Sequence, residues 1–298
     1  MQFQKKIFVT LSLVFTASMF INSCTVAPKD AAATSPYTIT ENAGNIHTVG
    51  RSDLTFTVKE NGTPKSGLKL EVEAMMDMTT YIHTTPSEST VATDLGNGNY
   101  KVTVYYVMSG TTWQLHFHVN GVHQTDHLTV TVGGTMMNKG TLKGITDKIV
   151  DPAGSATPVT RTYHIFKSAI SAGTPGSDSI DLFLATTESY LGMPAVFSSK
   201  ILNNEVPSAW TVGTITLSVC NTWDTVNGTC TGWSNLTDNG NGHFTGSALT
   251  IANTGMLTFA VHLKVVNSTA GTNEWKTTGG LAGAGTGDGA TEFKKINQ

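Results

Sequence analysis

The chain has 298 residues, a formal net charge of −3 and a charged fraction of 13%, about half the usual share. Thr, Ser, Gly and Asn supply the polarity instead, and many β-branched residues beside few long helix formers argue for strands. Nothing in this charge balance points to nucleic acid or anionic lipid as partner, and no stretch beyond the N-terminal one is long and apolar enough to span a bilayer.

The chain opens with the basic segment MQFQKK, followed by the apolar IFVTLSLVFTASMFIN and then Ile21-Asn22-Ser23-Cys24. A short apolar run that ends in small residues is a secretory signal rather than a membrane span. The cysteine at the cut resembles a bacterial lipoprotein signal. That resemblance implies that residues 1–23 are removed, that Cys24 becomes the lipidated N-terminus, and that acyl chains anchor the protein without spanning the membrane. Thr25, where Asp would mark inner-membrane retention, favours the outer membrane. The alternative is ordinary secretion with Cys24 incidental. Residues 24–36 read as a tether.

Residues 37–133 read as a run of short strands. SDLTFTVKENGTPKSGLKLEVEAMM holds two alternating segments joined by the turn signal NGTPKSG. Leu68, Leu70, Val72, Ala74, Met76 and Met78 fall on one face, and Lys69, Glu71, Glu73, Met75 and Asp77 on the other. A loop containing TTPSEST, the strand YKVTVYYVM and a Ser109-Gly110 turn follow.

A second copy begins 144 residues on, where TDNGNGHF (Thr237–Phe244) matches TDLGNGNY (Thr93–Tyr100). The same offset sets Leu115 on Phe259, Phe117 on Val261, His118 on His262 and Val119 on Leu263. Upstream, LKLEVEAMMD (from Leu68) roughly matches ITLSVCNTWD (from Ile215). Two related β-sandwiches are expected, over 37–133 and 161–270, with 134–160 as linker and 271–298 as a Gly-rich disordered tail. Cys220 and Cys230 flank NTWDTVNGT in the second copy. In an oxidising compartment they are expected to form a disulfide; a two-thiolate metal site is the alternative, without CxxC spacing. Trp210, Trp223 and Trp233 nearby read as core or as a carbohydrate- or protein-facing patch.

Four of the nine histidines lie in WQLHFHVNGVHQTDHLTVTV: His116, His118, His123 and His127. Asn120-Gly121 is a strong two-residue hairpin signal. If Val119 pairs with Val122, then His118 faces His123, His116 faces Thr125 and Gln114 faces His127, with all four histidines on one face. Two or three imidazoles at that spacing are able to hold one metal ion. The alternative is a polar outer face. The opposite face (Trp113, Leu115, Phe117, Val119, Val122, Leu128, Val130) suits a core except for Gln124 and Asp126, so a bulge after Val122 is open and His127 is the least constrained.

A second cluster is MMDMTTYIH (Met75 to His83), with Met108 at the end of another strand. Thioethers with imidazoles suit Cu(I), imidazoles alone Cu(II) or Zn; Met on a strand also serves as core filler. The order of Met-rich strand end, His loop, Gly98/Tyr100, and Met108, Gly110, Trp113 resembles the YtkA-like domain, a periplasmic immunoglobulin-like sandwich also seen in FixH-related proteins. The resemblance covers about Leu68 to Val132. The chain lacks the family's Pro, displaces its His and adds one residue before Trp113. The resemblance implies an immunoglobulin-like sandwich over that stretch and a copper site at Met76, Met78, Met108 and His83; together with the repeat, the expected architecture is all-β, two immunoglobulin-like antiparallel sandwiches in tandem. His116, His118 and His123 are expected to form a second, harder site or to complete the first.

GxSxG, HExxH and a phosphate-binding Gly loop are missing, and Asp178/Asp181 have no evident acid–base partner, so no enzyme is expected. A three-His metal site able to hydrolyse a substrate is a remote alternative without a general base. The expected function is a lipid-anchored copper carrier, sensor or sequestering protein, with zinc possible and a protein partner on the second domain. The alternative is a surface-exposed adhesive or structural lipoprotein.

Overall fold

The computed structural model describes residues 35–78, 82–134, 138–151, 155–171, 176–188, 192–203, 210–224, 229–250, 258–267, 274–278 and 289–294. The signal segment, Cys24 and the tether up to Thr34 therefore lie outside the described residues. Within them there is no α-helix.

The first module contains β1 (Tyr37–Glu41), β2 (Gly50–Glu60), β3 (Thr63–Pro64), β4 (Leu70–Asp77), β5 (Ile82–Thr84), β6 (Thr93–Gly96), β7 (Asn99–Tyr106), β8 (Gly110–Val119), β9 (Val122–His123) and β10 (Leu128–Val132). One sheet runs β1-β2-β7-β6 and the other β10-β8-β4-β5, all antiparallel. These are the orders A-B-E-D and G-F-C-C′ of an immunoglobulin-like sandwich. Strict alternation explains the pairing of the sheets. Leu70, Val72, Ala74 and Met76 of β4 and Trp113, Leu115, Phe117 and Val119 of β8 are buried, and meet Leu54, Phe56 and Val58 of β2.

The second module contains β11 (Lys139–Ile149), β12 (Val159–Ser171), β13 (Asp178–Thr186), β14 (Ile201–Leu202), β15 (Trp210–Asp224), β16 (Thr229–Asn235), β17 (Thr237–Asp238), β18 (His243–Leu249), β19 (Thr258–Asn267), β20 (Glu274–Thr278) and β21 (Gly289–Lys294). Here β12-β13-β18-β17 repeats A-B-E-D, and β16-β15-β19-β21 repeats C′-C-F-G. β20 and β11 join the two halves into one eleven-stranded sheet.

The repeat read from sequence holds residue by residue. Thr93 pairs Lys101 and Asp94 pairs Tyr100 in the first module; Thr237 pairs Thr245 and Asp238 pairs Phe244 in the second. Glu71 stands opposite His118, as Ser218 stands opposite His262. The Gly98 carbonyl accepts from Val58 N–H and the Gly242 carbonyl from Leu184 N–H, both at 2.8 Å. Gly98 and Gly242 have φ of +75° and +93°, and a Cβ on either would come within 3 Å of a neighbour, so Gly is required there.

Two segments differ from the expectation. The stretch 134–160, expected as linker, contains β11, which buries Leu142 and Ile149 and pairs with β12. Its two glycines, three lysines and a bulge between Lys143 and Lys148 break the period-2 signal, while the ladder supplies the order. The tail 271–298, expected to be disordered, contains β20 and β21, whose backbones pair with β19 and β11.

The two modules pack together. Phe166, Phe183, Ala185 and Met193 of the second module belong to the core cluster of the first. β12 and β13 are therefore covered on both faces: Tyr163, Ile165, Leu182 and Leu184 point into their own sandwich, Phe166 and Phe183 into the neighbour. That is why β13 reads as the continuous apolar run Leu182–Ala185 rather than an alternating one.

Candidate functional site

The Asn120-Gly121 turn forms as its dipeptide dictates, with φ of +51° and +81°. Val119 pairs Val122 and His118 pairs His123. The register beyond that point differs from the expected one. β9 ends at His123, Gln124 turns inward, and β10 resumes with Thr129, not His127, opposite Gln114. The cause is Gln124. Its backbone N–H donates to the Phe117 carbonyl at 2.8 Å, its Nε2 donates to the Val122 carbonyl at 2.8 Å, and its Oε1 accepts from the Ser35 hydroxyl. A buried amide satisfied this way replaces two ladder pairs with a loop.

The loop nevertheless returns His127 to the group. Ring centroids lie 5.0 Å apart for His118–His123, 5.9 Å for His116–His123 and 5.2 Å for His116–His127. All stand on the outer face of the β10-β8-β4-β5 sheet, where Glu73 lies opposite His116 and Glu71 opposite His118. Partial burial, then the neighbouring imidazoles of His127 and His123, hold the His116 pKa below the ordinary histidine value, against the pull of Glu73. Among the described residues, no group of three or more His, Cys, Asp or Glu stands ready-arranged around a metal position.

The methionines lie elsewhere. Met76 faces the sandwich interior opposite Trp113, and a Cβ on Gly110 would collide with its Cε. Met78 and Met108 pack against the same core. Met76 is thus on the opposite face of the sheet from His116 and His118, and the two sets do not merge into one site. His83 stands opposite Met76 on β5, with its Nδ1 3.4 Å from the Thr84 carbonyl, and burial lowers its pKa.

In the second module Cys220 and Cys230 form the expected disulfide, with Cα atoms 5.8 Å apart. Trp233 is 41% exposed, opposite Cys220 on the β15–β16 ladder, with its ring 5.5 Å from His262. Trp233 therefore belongs to an outer face and not to the core. The side chains of Trp210 and Trp223 lie outside the described residues.

Sequence reasoning missed the polar seam between the modules. His243 Nδ1 lies 2.9 Å from Asp181, and its Nε2 3.5 Å from Glu88 of the first module. Asp181, expected without a partner, has this imidazole. The Tyr105 hydroxyl donates to Glu88 at 2.9 Å, and its ring stacks on Phe183 at 4.3 Å. Arg51 donates to Ser168 Oγ at 3.1 Å. The two carboxylates, Asp181 first, raise the His243 pKa to about 9. Nearby, Lys139 donates to the Val107 carbonyl at 2.9 Å while burial lowers its pKa to about 8, and burial holds His164 well below the ordinary value. One sequence signal was available: the repeat sets His243 on Asn99, a charge-capable residue where the first copy has a neutral one.

The chain matches no family profile and no curated protein. Among solved structures it is similar to the Yersinia pseudotuberculosis adhesin InvE (13% identity, 87% of this chain and 58% of that one, TM-score 0.26). It is also similar to the Escherichia coli adhesin FdeC (14% identity, 80% and 62%, TM-score 0.26) and to invasin, a bacterial integrin-binding protein (14% identity, 82% and 59%, TM-score 0.26). The chain spans about three fifths of the length of these structures. A likeness this distant assigns it no role.

Proposed function

We propose that this protein is a non-enzymatic, envelope-exposed adhesive or structural lipoprotein, anchored through Cys24 and favouring the outer membrane. The observation that carries this reading is a pair of modules that share a buried core cluster and bear an exposed tryptophan, Trp233, on an outer sheet face. Ordinary flexible tandem domains meet over small polar interfaces. Here aromatic stacking and a bridged imidazole join the modules, as a body that presents one fixed surface to a partner requires. Trp233 beside His262, framed by the disulfide, offers an aromatic platform for a sugar or protein partner. The disulfide accords with an oxidising compartment. The YtkA-like resemblance enters only through the shared sandwich fold. A single copper site that merges the thioethers with His116, His118 and His123 has less support, because Met76 and that histidine group lie on opposite faces.

The test is display of the chain, with its own signal, on a non-adherent bacterium. Retention on mucin-, fibronectin- or collagen-coated surfaces, lost in Trp233→Ala at equal display, is the expected result. No gain in retention on any of these surfaces overturns the adhesive role.

A further inference from the structure

We propose that His116, His118 and His123 form a binding site for a borderline divalent first-row ion, Zn(II), Ni(II) or Cu(II), on the outer face of the first module. An imidazole bound at about 2.0–2.1 Å through nitrogen puts its ring centre roughly 3 Å from the ion, so two on one tetrahedral ion have centroids about 5 Å apart. The observed 5.0 Å from His123 to His118 meets that requirement, and the 5.9 Å from His123 to His116 exceeds it by less than 1 Å. The backbones are already fixed by the Val119–Val122 turn, so the ion needs only side-chain rotation to be enclosed. Partly exposed side chains make such rotations on the nanosecond scale.

A second observation is independent of spacing. His116 Nε2 lies 3.0 Å from Gln114 Oε1. An amide oxygen only accepts, so Nε2 carries the hydrogen and Nδ1 keeps its lone pair. A ligating histidine characteristically has its other ring nitrogen engaged in this way. Glu73 and Glu71, across the ladder from His116 and His118, supply negative charge on the same face, although Glu71 also meets Lys69 at 2.7 Å.

The donor set selects the ion. Neutral imidazole nitrogen with carboxylate nearby suits Zn(II), Ni(II) and Cu(II); Ca(II) and Mg(II) prefer an oxygen shell. Cu(I) is disfavoured, because the Met76 thioether lies on the other face of the sheet. His127, stacked 5.2 Å from His116, is placed to join as a fourth ligand. The bound ion would staple β8 to the β9 turn and stiffen that end of the first module.

The experiment is isothermal titration of residues 25–298 with Zn(II) and with Cu(II), repeated on His116→Ala/His118→Ala and on Met76→Leu. The expected result is one equivalent bound below about 10 μM, weakened at least tenfold in the double histidine variant and unchanged in Met76→Leu. Nitrogen hyperfine structure in the Cu(II) electron paramagnetic resonance spectrum, lost in the same variant, is expected alongside. Binding no tighter than about 10 μM overturns the proposal, as does tight binding that the folded double variant retains or that Met76→Leu removes. Circular dichroism of each variant establishes that it is folded.

Discussion

His118 and His262 occupy the same position in two copies of one sandwich, on strand F of each C′-C-F-G sheet, and their surroundings differ. His118 faces Glu71 and stands 5.0 Å from His123; His262 faces Ser218 and stands 5.5 Å from Trp233. The A-B-E-D sheets differ as well. That of the second module is covered on its outer face by the first module, so β12 and β13 carry buried apolar side chains on both sides. The two copies share one frame, including register and turn glycines. The outward positions were free to diverge, because in a sandwich only the inward half of each strand is constrained by packing.

The largest expected effect tests the covered face. Truncation of Phe183→Ala or Tyr105→Ala removes a stacked, fully buried ring at the module junction and should cost about 3–5 kcal/mol in urea unfolding. It should also split one transition into two, whereas two separate transitions already present in the wild type would mean that the modules do not depend on each other. Reduction of Cys220–Cys230, which closes a ten-residue separation, should cost about 2–3 kcal/mol. In the Phe183→Ala background, where the two transitions are expected to separate, that loss should appear in the second module's transition alone.

The seam should also give a pH signature. The folded pKa of His243 is about 9 against an ordinary 6.5, so its stabilisation is full below pH 6.5 and fades as pH rises through 9. His164, held neutral by burial, acts with the opposite sign: its contribution is full above pH 6.5 and is lost as pH falls below it. Stability should therefore peak near pH 6.5. Lys139, lowered to about 8, partly offsets the alkaline loss as pH climbs toward 10.5. Comparison of Tm against pH for wild type and His243→Asn isolates the first effect, of order 2 kcal/mol. Equal alkaline slopes in the two proteins would remove His243 from the seam.

The smallest effect belongs to the open face. His116→Ala/His118→Ala should change metal-free stability by no more than about 0.5 kcal/mol per site, since the outer face buries little. A larger loss would assign these histidines a structural role.

How much of this was legible depended on which force set each feature. Period-2 alternation identified β4 and β8, put Met76 on the apolar face of its strand and gathered the histidines on one face of theirs, because the pleat fixes direction without tertiary information; that the two sets lie on opposite faces of one sheet came from the β4–β8 pairing. The Asn120-Gly121 dipeptide fixed its turn, and the Gly-Asn-Gly matches exposed the duplication, since positive φ and close approach leave little choice of residue. β11, β20 and β21 were illegible. Their sequences lack alternation, and the order comes from hydrogen bonds donated by neighbouring strands. His127 joined the imidazole group by a route that no register rule gives, through the buried amide of Gln124. The seam of His243, Asp181, Glu88 and Tyr105 assembles groups from distant parts of the chain. The sequence by itself determined the strands, the duplication and the disulfide pair, all products of local stereochemistry or composition. Only the tertiary structure decided which sheet face was covered and which stayed open, because that depends on packing one module against the other.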